Sequence, residues 1–210
     1  SLNQYMPDKL QLSHQVGLSQ KWPSDCSVLD KNSCLFLEQG KINSALSKLP
    51  KEIMLETNQI DDLAFAPSKT NALDHLNWAT LPQSINLHVK KSPDRPLHLI
   101  LKQSTSSWTS SRITIDLAPG ATLTLLVSYV GDGNGHHVLD FNLASQSQIN
   151  LVSLQEVETS AVILMQTRAK LAQEAQFKAL HICSGGKLSR HDLEITLAGP
   201  HSSAEAHGLY

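Results

Sequence analysis

The chain has 210 residues, a formal net charge of −2 and a sequence pI near 6.5, a balance that gives no electrostatic basis for binding nucleic acid or an anionic membrane surface. No apolar run approaches the roughly 18 residues of a membrane span, and the N-terminus lacks the basic-then-apolar layout of a secretory signal. Three cysteines in a chain of this length do not make a disulfide framework, so the expected setting is soluble and cytoplasmic.

Taken in order, residues 1–33 are polar and poorly periodic, broken by Pro7, Gly17 and Pro23; they are expected to run along the surface as a leader. Leu35 to Ile42 reads as a short hairpin turning at Gly40. Ser44 to Leu49 is expected to make one helical turn before Pro50 stops it. Thr70 is the expected N-cap of a helix reaching Ala79, with Ala72, Leu76 and Ala79 on one stripe, and Leu81-Pro82 ends it. A helix there is expected to cover the open end of whatever follows. Ile85 to Val89 and Leu97 to Leu101 then alternate as strands, with Leu99 expected to stand 26 residues ahead of its equivalent, Leu125. The expected division is a leader at 1–33, a hairpin and capping helix at 34–84, and a repeating core at 85–210.

The repeat organises the second half of the chain. Leu117, Leu143, Leu171 and Leu197 each open a Leu-Ala turn, at intervals of 26, 28 and 26 residues. After each turn comes an alternating apolar strand: Leu123, Leu125, Leu126; then Ile149, Leu151, Val152, Leu154; then Phe177, Ala179, Leu180, Ile182. The fourth copy, with Ala204, Ala206, His207 and Leu209, is weaker. The doubled apolar pair reads as a bend between two inward-facing strands. Units of strand, tight turn, bent strand and outer loop stack about 4.8 Å apart. The expected fold is therefore all-β, a right-handed parallel β-helix of 26–28-residue coils preceded by a small N-terminal region of mixed α and β structure. A leucine-rich repeat has a similar period but needs a Leu and Asn ladder that is absent; a β-sandwich with accidental spacing remains the alternative.

The last repeat carries Gly185-Gly186-Lys187-Leu188-Ser189-Arg190-His191-Asp192-Leu193, and the chain closes on Gly208-Leu209-Tyr210. A double glycine, Ser-Arg-x-Asp-Leu before a strand, and Gly-Leu-Tyr resemble the SufB/SufD family of iron–sulfur cluster assembly proteins, which more often has Asn at the position of His191. Leu35 to Ile42 followed by Leu46-Ser47-Lys48-Leu49-Pro50, and Ala72-Leu73 to Ala79, are similar to the SufD branch. The resemblance spans residues 34–210. It implies a non-enzymatic SufD-like scaffold that pairs with a SufB-like paralogue and a SufC-like ATPase. It also implies that iron or a cluster is held only in the assembled complex, with no cofactor in this chain. The family's functional His and Cys positions are expected beyond Tyr210, so no site residue is carried over. The rivals are a SufB-type scaffold and a β-helical carbohydrate-active enzyme. A last coil left open is expected to self-associate through its edge.

Of the ten histidines, His181 with Cys183 is the best metal candidate, two apart on one strand face. The doubled-pair reading puts that face outside, and a third ligand would have to come from another coil. His136-His137 follows Gly131-Asp132-Gly133-Asn134-Gly135 and reads as part of a loop. That loop does not make a calcium site, since the sixth residue from Asp132 is His137 rather than glycine. Gly186-Lys187 lacks the rest of a phosphate loop. Neither Cys26 nor Cys34 has a legible catalytic context. The positions between turns are Thr, Gln, Ser and Asn rather than the acids that carbohydrate hydrolysis requires. Arg190 and Asp192 are expected to form a structural pair.

Overall fold

The computed structural model describes residues 32–59, 72–103 and 108–210; most of the expected leader, Cys26 and the expected N-cap Thr70 lie outside the described residues. The first strand β1 (Cys34–Glu38) turns into β2 (Lys41–Ile42) as expected, through Gln39 and Gly40, both at positive φ. Glycine is required at the second of these positions, because a Cβ there would lie 2.1 Å from the Ser110 carbonyl oxygen. The stretch after it forms a turn rather than a helix, and Lys48 bridges back to Cys34.

There follow β3 (Ile53–Gln59), α1 (Ala72–Thr80), β4 (Gln83–Val89) and β5 (Leu97–Gln103), then pairs of long strands. These are β6 (Thr109–Leu117) and β7 (Thr122–Gly131), β8 (Gly135–Leu143) and β9 (Gln148–Val157), β10 (Val162–Leu171) and β11 (Gln176–Gly185), and β12 (Leu188–Leu197) and β13 (Ser203–Leu209). One sheet, A, runs in the order β13-β11-β9-β7-β5-β1-β2; the other, B, runs β12-β10-β8-β6-β4-β3. Pairing is parallel except at β1–β2 and β3–β4. Four full turns of a β-solenoid thus stack above the opening pair β4 and β5.

The leading leucines form one column: Leu117 stands beside Leu143, Leu143 beside Leu171, and Leu171 beside Leu197. Leu123, Ile149 and Phe177 form a second, and Leu125, Leu151 and Ala179 a third, each member almost fully buried. The corners between strands also stack. Gly120, Gln146, Glu174 and His201 all take positive φ, and the first three donate their backbone N–H to the next coil, to Ser145, Gln173 and Pro200 carbonyls. The left-handed corner therefore belongs to the architecture rather than to glycine.

Three further expectations fail. First, β7, β9 and β11 are unbroken ten-residue strands, so the doubled apolar pair marks no bend. Leu123, Leu125, Val127 and Tyr129 all join the core, while Leu126, Val152 and Leu180 lie on the opposite face of sheet A, and are buried there too. Second, Leu97 rather than Leu99 stands beside Leu125, and Leu99 pairs with Val127. Third, α1 covers no open end; it lies against β6 and β8 of sheet B. Its buried face is the polar one, Asp74 and Asn77, and the stripe of Ala72, Leu76 and Ala79 is exposed.

Candidate functional site: the polar half of the interior

Because β7, β9 and β11 do not bend, alternation fixes which side chains enter the space between the sheets. One half of that space keeps the same chemistry from coil to coil. Leu87, Ile115, Phe141, Ala169 and Ile195 succeed one another in register on sheet B, opposite the Leu123 and Leu125 columns of sheet A. The other half changes. On sheet A the column Leu35, Leu99, Val127 continues as Ser153 and His181, and the column Leu37, Leu101, Tyr129 continues as Gln155 and Cys183. On sheet B, Ser111, His137, Met165 and His191 stand in register, and Ile85, Ile113, Leu139 give way to Thr167. On sheet A this half passes from apolar to polar toward the later coils, while on sheet B polar side chains are interspersed with Met165 and with Leu193, which follows Thr167.

Two ring contacts and the Ser189–Gln155 hydrogen bond cross between the sheets, and two further hydrogen bonds tie neighbouring strands of sheet B. The Tyr129 and His137 rings lie 5.3 Å apart between centroids, and the His181 and His191 rings 4.0 Å apart in an edge-to-face arrangement. Ser189 Oγ donates to Gln155 Oε1 at 2.6 Å, Thr167 Oγ1 pairs with His191 Nε2 at 2.9 Å, and Ser111 Oγ pairs with His137 Nδ1 at 2.8 Å. Both ring nitrogens of His181 and Nε2 of His137 have no hydrogen-bond partner. Desolvation governs the ionisation of all three rings. Burial pulls His181 down to about 3, with the neighbouring His191 adding to the effect. It pulls His137 to about 3, helped by His136, and His191 to about 4, with Asp192 opposing. The Cys183 thiol is pushed up by burial, against a hydrogen bond with Ser189. The chamber is therefore lined by neutral imidazoles and a protonated thiol at pH 7.

His181 and Cys183 do share a strand face as expected, but that face is the inner one; reading Leu180 and Ile182 as inward reversed it. Across the sheets the His181 ring meets that of His191, and Cys183 hydrogen-bonds with Ser189. Among the described residues, no three His, Cys, Asp or Glu side chains are arranged to hold a metal ion. His136 and His137 are likewise not part of a loop: both lie in β8 and are buried. Arg190 and Asp192 do form the expected pair, with Nε and Nη2 each donating to a carboxylate oxygen at 2.9 Å. Gly185 and Gly186 turn β11 into β12 at positive φ; a Cβ on Gly185 would lie 2.0 Å from the Val157 carbonyl oxygen. Within that glycine motif, Ser189 and His191 thus point inward while Arg190 and Asp192 point outward.

A second constellation, on the outer face of sheet B, was not anticipated from the sequence. Arg112 donates to Asp74 at 2.8 Å and to Asp140 at 3.0 Å. Arg168 donates to Asp140 at 2.6 Å and to Asp74 at 3.1 Å. The Arg112 guanidinium stacks on Trp78, 4.8 Å from its ring centroid. Asn77 Nδ2 completes the seam by donating to the Ser111 and His136 carbonyls. Arg112, Asp140 and Arg168 recur every 28 residues, so opposite charges at the repeat period are the signal that points to it. Its two carboxylates are fully engaged by guanidinium groups, which makes it a fastening for α1 rather than a catalytic acid and base.

The chain's likeness to known proteins agrees with this architecture. The family described as "SUF system FeS cluster assembly, SufBD core domain" matches residues 99–210, just over half of the chain. No curated protein matches it significantly. None of its helices, among the described residues, is long and apolar enough to cross a membrane. The matched span begins within β5 and takes in the four full turns, the polar chamber and the double-glycine corner, and on that match the chain belongs to the SufB/SufD core-domain family of the SUF system for iron–sulfur cluster assembly.

Proposed function

We propose that the chain is a SufD-like scaffold subunit of the SUF system, non-enzymatic and cytoplasmic, which pairs with a SufB-like paralogue and a SufC-like ATPase. The observation that carries the SufD reading is the opening hairpin: β1 joins sheet A in parallel beside β5, turns back at Gly40, and runs into Leu46-Ser47-Lys48-Leu49-Pro50. A scaffold reading is supported by the state of the ionisable groups. The buried Asp74 is engaged by arginines, and the imidazoles of the interior are held neutral by burial rather than poised near 7 as a general acid or base would be. The same facts weigh against a carbohydrate-active enzyme, whose chemistry needs a free pair of carboxyl groups.

In this reading iron and sulfide are cargo of the assembled complex, and the isolated chain holds no cluster. Co-expression with a SufB-like paralogue and a SufC-like ATPase from the same source tests it. A stable complex containing all three chains is expected, and anaerobic reconstitution of the chain alone with iron and sulfide should leave no visible chromophore after desalting. Failure to form that complex, or a stoichiometric chromophore on the lone chain, overturns the SufD reading; the second result favours a SufB-type scaffold.

A further inference from the structure

We propose that Gln103, Thr109 and His137 hold one ordered water molecule inside the solenoid, at the corner beside Gly135. Gln103 ends β5 on the inner face of sheet A, in phase with Leu97, Leu99 and Leu101 of the core. Thr109 opens β6 beside Gly135 of β8 in sheet B, and His137 follows two residues on along the same face. A Cβ on Gly135 would lie 2.8 Å from His137 Nε2 and 3.0 Å from Gln103 Oε1, so the two polar tips converge on one point from opposite sheets.

All three side chains are at most 2% exposed. Yet Gln103 Oε1 and Nε2, Thr109 Oγ1 and His137 Nε2 have no hydrogen-bond partner in the protein. The groups around them are already engaged. Ser111 Oγ pairs with His137 Nδ1, the Gly131 and Asn134 carbonyls accept from the Glu158 and Thr109 N–H groups, and Asn134 Oδ1 accepts from that of Val162. A buried primary amide with neither end paired is strongly unfavourable. The run Gly131-Asp132-Gly133-Asn134-Gly135 is nevertheless shaped around one. A Cβ on Gly131 would lie 2.3 Å from the Gln103 carbonyl oxygen, and one on Gly135 2.9 Å from its amide carbon, so both glycines give the residue its room.

The chemistry of the corner selects a small neutral molecule. Its lining is an amide, a hydroxyl and an imidazole that burial pulls down to about 3, with His136 adding to the effect. None of these is charged at pH 7, so an ion would lose its hydration without meeting an opposite charge. Tips within hydrogen-bond reach of a single point leave the role to one heavy atom that both donates and accepts. Water does both, and typically makes about three such bonds when it is buried.

A crystal structure of the full wild-type chain, at a resolution that shows ordered solvent, tests this. A water peak should lie within about 2.7–3.2 Å of at least two of the Gln103 amide, Thr109 Oγ1 and His137 Nε2. In solution the α protons of Gly135 should show a nuclear Overhauser effect to water, with the sign that a long-lived bound molecule gives. Gln103→Met keeps the bulk of the side chain and removes the amide. It should melt about 2–4 °C below the parent, because it strips a bonded water of partners, whereas deleting an unpaired amide would leave the chain as stable or more so. Should that variant not fold, the two wild-type measurements decide. Absence of the peak or of the Overhauser effect in the folded wild-type chain, a direct Gln103–His137 hydrogen bond, or a Gln103→Met variant melting at or above the parent overturns the proposal.

Discussion

The two halves of the solenoid interior are built on the same backbone and answer to different demands. Along Leu117, Leu143, Leu171 and Leu197 the same side chain recurs at each coil, and beside it Leu123, Ile149 and Phe177 fill the matching space. Along Leu99, Val127, Ser153 and His181 the backbone register is just as regular, but the chemistry changes completely. Stacking of coils therefore needs only one apolar half. The other half is free to carry polar groups, several of which hydrogen-bond to one another while both ring nitrogens of His181 stay without a partner.

Substitutions that exchange the demands of the two halves test that division most sharply. Leu151 is 1% exposed between Leu125 and Ala179, so Leu151→Asp buries an unpaired carboxylate and should abolish the cooperative thermal transition. Ser153, two residues away in the polar half, should tolerate Ser153→Ala at a cost of about 1 kcal/mol. Equal losses from the two, read by circular dichroism melting, would erase the distinction between the halves.

The fastening on the outer face ranks next. Asp74 is bound by both Arg112 and Arg168, and its side chain is only 4% exposed. Asp74→Ala leaves two partly buried guanidinium groups short of an acceptor and should cost about 3–5 kcal/mol. Urea unfolding of the variant gives the value; a loss under about 1 kcal/mol would mean that α1 merely rests on sheet B.

The smallest expected effect separates corner from strand. Gln146 sits at φ 61 in a stacked corner, where Gln146→Gly removes left-handed strain and should leave stability within about 0.5 kcal/mol of the parent. Asn150→Gly, inside β9, has no strain to relieve and should cost about 1 kcal/mol. Reversal of that order would place the strain elsewhere.

Much of this was legible in the residues, and the misreadings have physical causes. The leucine period gave the coils and the register of the leading columns, because one apolar half must repeat for coils to stack. The bend was inferred from Leu125-Leu126, Leu151-Val152 and Ala179-Leu180. A strand buried on both faces shows apolar pairs without bending, and Leu126 and Val152 are buried on the outer face. That single error turned His181 and Cys183 outward. The repeat itself held the correction, since Tyr129, Gln155 and Cys183 share one phase with the core residue Leu101. Strand β3 went unread because Met54 and Leu55, adjacent at a sheet edge, are both partly exposed and break the alternation. The face of α1 was inverted because an ion-paired polar face can be the buried one, which apolar periodicity does not register.

The central claim is that His181 lies inside the solenoid with His137 and His191. Titrating the histidine ring resonances by NMR tests it directly. Burial lowers all three, so the stability they contribute is present above the ordinary value of 6.5 and is lost as pH falls toward 4 and then 3. At pH 5.5 the account predicts that these three rings are still uncharged. A His181 ring that titrates near 6.5 with the fold intact would put it in solvent, and would contradict both the inner face and the polar chamber built on it.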